Sequence, residues 1–407
     1  VTGSMANIRD YLKEREKRQG NPQLINYKEK IRGHKLTVFY RVVLAVVVVA
    51  AVIAFLVIAW RDKVFTSCDT IATVPVTIVQ GTKTEDLDGN ILFYSKDGAS
   101  CMDNKGKAIW NQSYEMQSPI LSISGAVCAL GDYNGREIYV CDKNGIRGTV
   151  NTNLPIRSLS VAENGVVAAV LDDSSVTRIN VYNGNSNTDE AIVHAKVSMD
   201  KSGYPISVCM SPNGRIMMVS YFFMDSGSMK SSIAFYNFGE VGENQTDNYV
   251  SGYDYLNTVV PYVQFMNNSA AFAVSDDRII FFSGSEKPTV VATSLFDDEV
   301  IGVYHNSDYA GVVFRDATGE ASYRLDVYSA SGNKIHTQLL DMEYSDIIFH
   351  KEQVIIYNSE SCQITNIRGA DKFVGSFEKP VSLLLPTASA YRYGLVTGDS
   401  IDVMELN

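Results

Sequence analysis

Two kinds of glycine turn recur in fixed phase over residues 83–378, and no other feature of the sequence narrows the possible folds as far. One ends Met102-Asp103-Asn104-Lys105-Gly106 and returns at Gly145, Gly184, Gly239, Gly284, Gly332 and Gly369, with spacings of 39, 39, 55, 45, 48 and 37 residues. The other, at Gly89, Gly125, Gly165 and Gly214, falls one strand pair earlier. Between them lie short alternating or apolar runs such as Ile91 to Tyr94, Ala126 to Leu130, Val166 to Leu171 and Ile216 to Phe223, which read as β-strands. Two turn types repeating together near forty residues describe the four-stranded blades of a propeller.

With strands lettered A to D from the axis outward, the blades fall at 83–116, 117–153, 154–199, 200–256, 257–297, 298–342 and 343–378. The chain beyond Lys379 offers three strands, Ser382 to Pro386, Tyr391 to Thr397 and Ser400 to Leu406, and the missing outer strand is expected from Ile71 to Val79. The expected fold is therefore all-β, an eight-bladed β-propeller closed by a three-plus-one clasp, and closure removes the open edge of a linear array. Seven blades with an irregular linker is the alternative. An outer strand at 71–79 has to be entered from the side of the A–B and C–D turns. That leaves the B–C turns and D–A connections facing away from the tether.

Val42 to Trp60 is a run of 19 residues without charge or proline. As a helix it covers roughly 28 Å, about one hydrocarbon core. It lacks the polar stripe of a soluble helix, Arg41 and Arg61 bracket it, and Tyr40 and Trp60 stand at the two interfacial levels. The run reads as a single transmembrane helix whose partner is the lipid bilayer. Residues 1–41 hold 10 of the 35 Lys+Arg and 4 of the 46 Asp+Glu, a balance of +6 that leaves −17 on the remainder. Since the basic flank comes first, the N-terminus is expected in the cytoplasm and the acidic propeller outside the cell membrane. An acidic body of this kind is unsuited to nucleic acid.

The expected organisation is thus a basic cytoplasmic tail at 1–41, the helix at 42–60, a linker at 61–70 and the propeller at 71–407. Within the tail, Ser4 caps a short helix over Met5 to Arg18 that Gly20-Asn21-Pro22 ends. A cleaved signal peptide is disfavoured by the long n-region. The Phe65-Thr66-Ser67-Cys68 segment has the look of a lipoprotein box, but Arg61-Asp62-Lys63 separates it from the apolar run.

Blade 1 carries Asp103-Asn104-Lys105-Gly106-Lys107-Ala108-Ile109-Trp110, which resembles the Gly-Lys-x-x-Trp docking repeat of quinoprotein-like (PQQ-like and WD40-like) propellers. Blade 6 has Gly332-Asn333-Lys334-Ile335-His336, with His at the Trp place. The resemblance implies that Trp110 packs between blades. Quinone-binding members stack the cofactor on a tryptophan floor beside a vicinal cysteine pair and a calcium site. Here no two cysteines are adjacent and Trp110 is the only tryptophan outside the apolar run, so no cofactor and no metal is expected. Tail, span and external propeller together are also similar to a bacterial group, domain of unknown function 5711, a resemblance that carries no activity with it.

No catalytic motif stands out. The five histidines never fall at zinc-ligand spacing, and no Gly-x-Ser-x-Gly or phosphate loop is present. Asp172-Asp173 and Asp276-Asp277 fall in B–C turns and Asp297-Asp298-Glu299 in a D–A connection, all on one face. Such carboxylates read either as turn residues capping their own backbone or as a joint site for a cation, acid/base chemistry or a basic partner. Three insertions point to the same face. Met224 to Ser232 lengthens the B–C turn of blade 4, and Gly242 to Thr258 spans its end and the D–A crossing with Tyr249, Tyr253 and Tyr255. Asp316 to Glu320 lengthens the B–C turn of blade 6. Tyrosines on long loops suit protein contacts.

The function these features favour is a non-enzymatic interaction platform for an envelope protein, a peptide or a cell-wall polymer. The alternatives are a glycan-active enzyme using Asp297, Asp298 or Glu299, and a transmembrane sensor. Finally, a type I′ turn at Asn134-Gly135 would pair Tyr133 with Arg136 and set Cys128 opposite Cys141. That pair is open to three readings: structural thiols, a cross-strand disulfide or a redox site.

Overall fold

The computed structural model describes residues 13, 15, 17, 22–61, 63–173, 176–197, 203–225 and 227–407. Two units divide it, Val1–Lys63 and Val64–Asn407. The first contains the α-helix Pro22–Arg61, of 40 residues, about 60 Å long. Within it Lys35–Phe55 is long and apolar enough to cross a membrane. The helix starts twenty residues before the expected Val42. Residues 23–41 contain no proline, and Pro22 occupies the first position, where a missing N–H breaks no helical hydrogen bond. Of the short helix expected over Met5 to Arg18, Lys13, Arg15 and Lys17 are helical and the rest lies outside the described residues.

The second unit is a ring of eight antiparallel four-stranded sheets. Seven run in chain order, from Lys83–Leu87, Asn90–Tyr94, Gly98–Met102 and Ala108–Ser113 in blade 1 to Asp346–His350, Gln353–Tyr357, Ser361–Asn366 and Asp371–Ser376 in blade 7. The eighth takes Val381–Pro386, Arg392–Thr397 and Ser400–Leu406 from the end of the chain and Cys68–Pro75 as its outer strand. Cys68 faces Leu406 and Pro75 faces Ser400. The chain therefore enters the clasp from the side of the C–D turns, as the three-plus-one closure requires. The strand lies three to four residues earlier than Ile71 to Val79. Its partner sets this, because the Thr66 and Ser67 N–H groups already bond the Asn407 carbonyl at 3.1 and 3.4 Å.

Each blade is covered on both faces by its neighbours, so inner strands are apolar at consecutive positions. All five residues of Ala270–Val274 are buried. The cores lie between blades. Phe235 of blade 4 meets Phe282 of blade 5 at 5.0 Å, and Phe296 of blade 5 meets Phe314 of blade 6 at 4.8 Å between ring centroids.

The recurrent glycine turn marks where one blade's outer strand docks on the next blade. Trp110 Nε1 donates to the Asp142 carbonyl at 2.8 Å, in the C–D turn of blade 2. His336, at the Trp place of blade 6, lies against the C–D turn of blade 7, where a Cβ on Gly369 would sit 1.9 Å from Nε2. Gly106 closes the ring in the same way, since a Cβ there would sit 2.4 Å from Cγ1 of Val74 in the clasp strand. Its φ of +78° also favours glycine.

The register around Asn134-Gly135 is as expected, with Cys128 opposite Cys141, but the turn is not type I′. Only Asn134 has positive φ, +69°, and the Gly135 N–H bonds the Asp132 carbonyl at 2.8 Å. Docking on blade 3 explains the difference. Asn134 N–H donates to the Ile156 carbonyl, and the Ile156 N–H donates to the Gly135 carbonyl, each at 2.9 Å.

Candidate functional site: the cleft between blades 5 and 6

The three acidic groups lie on the side of the B–C turns and D–A connections, and arginines from neighbouring strands divide them. Arg157, on the inner strand Ile156–Val161, donates through Nε to Asp172 at 3.1 Å and rests on the Tyr133 ring at 5.3 Å. Arg178 pairs with Asp173 at 2.6 Å. Asp277 accepts from Arg278 Nε and from the Ser275 hydroxyl, both at 2.8 Å, and from the Thr258 hydroxyl at 3.0 Å. The Arg278 guanidinium, helped by these hydroxyls, holds the Asp277 carboxyl well below the usual carboxylate range. Thr258 also bonds Asp276. Glu299 stands 3.8 Å from Arg315 across an exposed gap.

These arginines were not singled out from the sequence. The available signal was an Arg one to five residues after the turn aspartates, at 178 and 278, where a hairpin folds it back.

The structure brings two of the three groups together. The Phe296 N–H bonds the Asp277 carbonyl at 2.9 Å, which sets Asp276-Asp277 beside Asp297-Asp298-Glu299, whereas Asp172-Asp173 belongs to blade 3. Next to this junction a cleft of about 630 Å³ opens between blades 5 and 6. Ser294, Leu295 and Phe296 form one wall, and Arg324, Asp326, Tyr328 and Lys334 form the other. Asp326 is buried, and Lys334 Nζ and the Thr337 hydroxyl each reach it at 2.8 Å. Arg324 lies over the Phe314 ring at 4.6 Å and donates to Asp298 at 2.6 Å. Burial, and then the nearby Asp326 charge, push the Tyr328 hydroxyl up to about 12. Asp297 is exposed and has no ion-pair partner among the described residues.

The expected insertions are placed differently. Met224 to Ser232 does not make a long loop, because Ile216–Asp225 and Ser228–Asn237 pair to their ends and carry a tall hairpin with Met224 opposite Met229. Gly242 to Thr258 reaches the D–A crossing only with Asn257 and Thr258. Its first part forms a helical turn, Glu240–Glu243, and a 3-10 turn, Thr246–Asn248, between strands C and D on the opposite side, and Tyr249–Leu256 is the outer strand itself. Backbone pairing with the Ser228–Asn237 strand claims these residues. Tyr253 and Tyr255 pack on the core between blades 4 and 5, Tyr253 donating to the Pro288 carbonyl at 3.1 Å, and only Tyr249 stays exposed. Asp316 to Glu320 does form a B–C loop, tied by the Asp316 carboxylate to the N–H groups of Thr318, Glu320 and Ala321.

Cys128 and Cys141 are buried free thiols in the core between blades 1 and 2, where Cys101 joins them. Its hydrogen bond to Cys141 and burial push the Cys128 thiol well above its ordinary range, so it is a poor nucleophile. Among the described residues no three His, Cys, Asp or Glu side chains converge as a metal-binding group.

A closed ring of eight blades, a charged interblade cleft and an N-terminal apolar helix define an eight-bladed β-propeller with a candidate membrane segment. Residues 61–406 match the family of unknown function DUF5711, and the chain belongs to that family. No curated protein matches it. Among solved structures, a eukaryotic initiation factor has 11% identity and a TM-score of 0.51, over 84% of this chain and 88% of its own. BamB from Moraxella catarrhalis has 11% identity and a TM-score of 0.49, over 84% and 100%. AztD from Citrobacter koseri has 10% identity and a TM-score of 0.49, over 77% and 90%. At 11% identity the likeness to the initiation factor speaks for the fold alone.

Proposed function

We propose that the chain is a single-pass membrane protein whose propeller stands outside the cytoplasm as a non-enzymatic interaction platform for an envelope protein, a peptide or a cell-wall polymer. The observation that carries the reading is the rim of blades 4 to 6. There Leu256, Leu295 and Leu339 are exposed at the ends of three successive outer strands, each beside a basic residue, Lys230, Arg278 or Arg324. Rows of apolar groups set among charges suit a protein-binding rim. The apolar helix and its basic N-terminal flank support the anchoring and the orientation.

A glycan-active enzyme is less well supported. The Asp298 carboxylate is taken up by its ion pair with Arg324, and Asp277 is held low where a general acid needs a raised pKa. The sensor reading gains from the unbroken helix Pro22–Arg61, which continues within a few residues into the clasp strand. Two experiments test the proposal in cells. Single cysteines introduced at Asp297 and at Lys30 in a background lacking the native cysteines should react with an impermeant maleimide at 297 only. In-cell photocrosslinking from position 295 should recover a defined partner. Labelling at 30 would overturn the orientation, and robust turnover of wall sugars without any crosslinked partner would overturn the platform.

A further inference from the structure

We propose that the outer edge of blade 5 and the adjoining cleft take an extended, basic segment of a protein partner by strand addition, an inference that rests on the platform reading and names its partner class. The edge strand, Thr289–Leu295, pairs only with Arg278–Ser283 among the described residues. Exposed edges are normally blunted by lysine or proline. This one has the sequence Thr-Val-Val-Ala-Thr-Ser-Leu, without charge, proline or glycine, and exposes Val290, Val291 and Leu295 at 38, 49 and 72%.

The direction of its free groups follows from the ladder. Phe296 N–H bonds Asp277 inside the sheet. Because backbone groups alternate along an antiparallel strand, Ser294 and Ala292 also point inward, and the N–H and C=O of Thr293 and Leu295 point out. An added strand would bond there.

Charge selects the occupant. In the cleft Arg324 is matched by Asp298 and Lys334 by Asp326. Asp297, exposed and unpaired among the described residues, leaves one negative charge at the end of the edge. Leu295, exposed two residues before it, would cover the aliphatic stem of a lysine or arginine while the cation meets the carboxylate. The partner segment therefore alternates apolar side chains along the edge and sets one Lys or Arg where it passes Asp297.

The test uses the full chain in lipid nanodiscs against a displayed library of random short peptides, with empty nanodiscs subtracted. The most enriched peptide is then synthesised and titrated by fluorescence anisotropy against variants. Enrichment of alternating apolar sequences with a Lys or Arg is expected. Asp297→Lys should weaken binding about tenfold or more. Thr293→Pro, which removes an outward N–H and no sheet bond, should abolish it. Glu115→Lys, the same charge change in the exposed connection between blades 1 and 2, should leave it unchanged.

Enriched peptides indifferent to both blade 5 variants would overturn the strand-addition site while leaving the platform reading standing. Failure to enrich any peptide would overturn the peptide partner. Self-association of the wild-type chain that Thr293→Pro removes would give the edge to a second copy and likewise overturn the proposal. Hydrogen exchange of 278–283 in each variant, unchanged from wild type, verifies that the blade 5 ladder is intact.

Discussion

Replacing Gly106 by alanine should loosen the ring at its seam. The added Cβ would lie 2.4 Å from Val74 Cγ1, far inside ordinary contact, and a φ of +78° places a residue with a Cβ in the left-handed region at a cost of roughly 1–2 kcal/mol. Relieving the overlap costs about 1–3 kcal/mol more. The clasp strand has little with which to absorb this. Six of the eight residues of Cys68–Pro75 are exposed, and one ladder holds them.

We expect Gly106→Ala to destabilise clasp closure by about 3 kcal/mol, which speeds exchange of the 70–74 amides roughly a hundredfold. Hydrogen exchange on the full chain would measure it. Val74→Ala removes the atom that clashes, so the double variant should recover about 1–2 kcal/mol relative to the sum of the singles. Additive effects, or unchanged exchange in Gly106→Ala, would refute the idea that this turn seats the clasp.

Trp110→Phe should lower stability by about 1 kcal/mol through loss of the bond to the Asp142 carbonyl. Trp110→Ala should cost about 3 kcal/mol by emptying the seam between blades 1 and 2, and both shifts are readable as urea midpoints. His305 packs edge-on against Phe272 at 5.9 Å, and burial pushes its pKa down to about 4. Because the unfolded chain protonates first, its contribution is complete above about 6.5 and fades as pH falls toward 4, by up to about 2 kcal/mol at pH 5. His305→Gln should flatten that part of a stability profile measured between pH 7 and 5. Alkylation in denaturant without reductant should label all six cysteines if Cys128 and Cys141 are the thiol pair seen here, and a mass short by two labels would mark the cross-strand disulfide.

Local chemistry made much of the architecture legible. Repeating glycine turns announced the blades, the three strands left over at the end demanded a fourth from the start, and counting back from Asn134-Gly135 placed Cys128 against Cys141. The same reasoning failed on Gly242 to Thr258. Its glycines, asparagines and tyrosines resemble a loop, yet Tyr249–Leu256 is a strand because the free edge of Ser228–Asn237 supplies the hydrogen bonds. It left the acidic pairs open between turn capping and a joint site, and did not foresee the arginines that take up Asp172, Asp173, Asp277 and Asp298 singly.

Periodicity, charge and the apolar run thus sufficed for a closed eight-bladed ring behind a hydrophobic helix, because they act over turns and neighbouring residues. Ring closure settled what no local pattern records. It seats the Gly106 turn on Val74. It also leaves Asp297 and the edge of blade 5 open. The Gly106 contact depends on which blade lies against which, and it exists only once the clasp strand has paired with a strand hundreds of positions away.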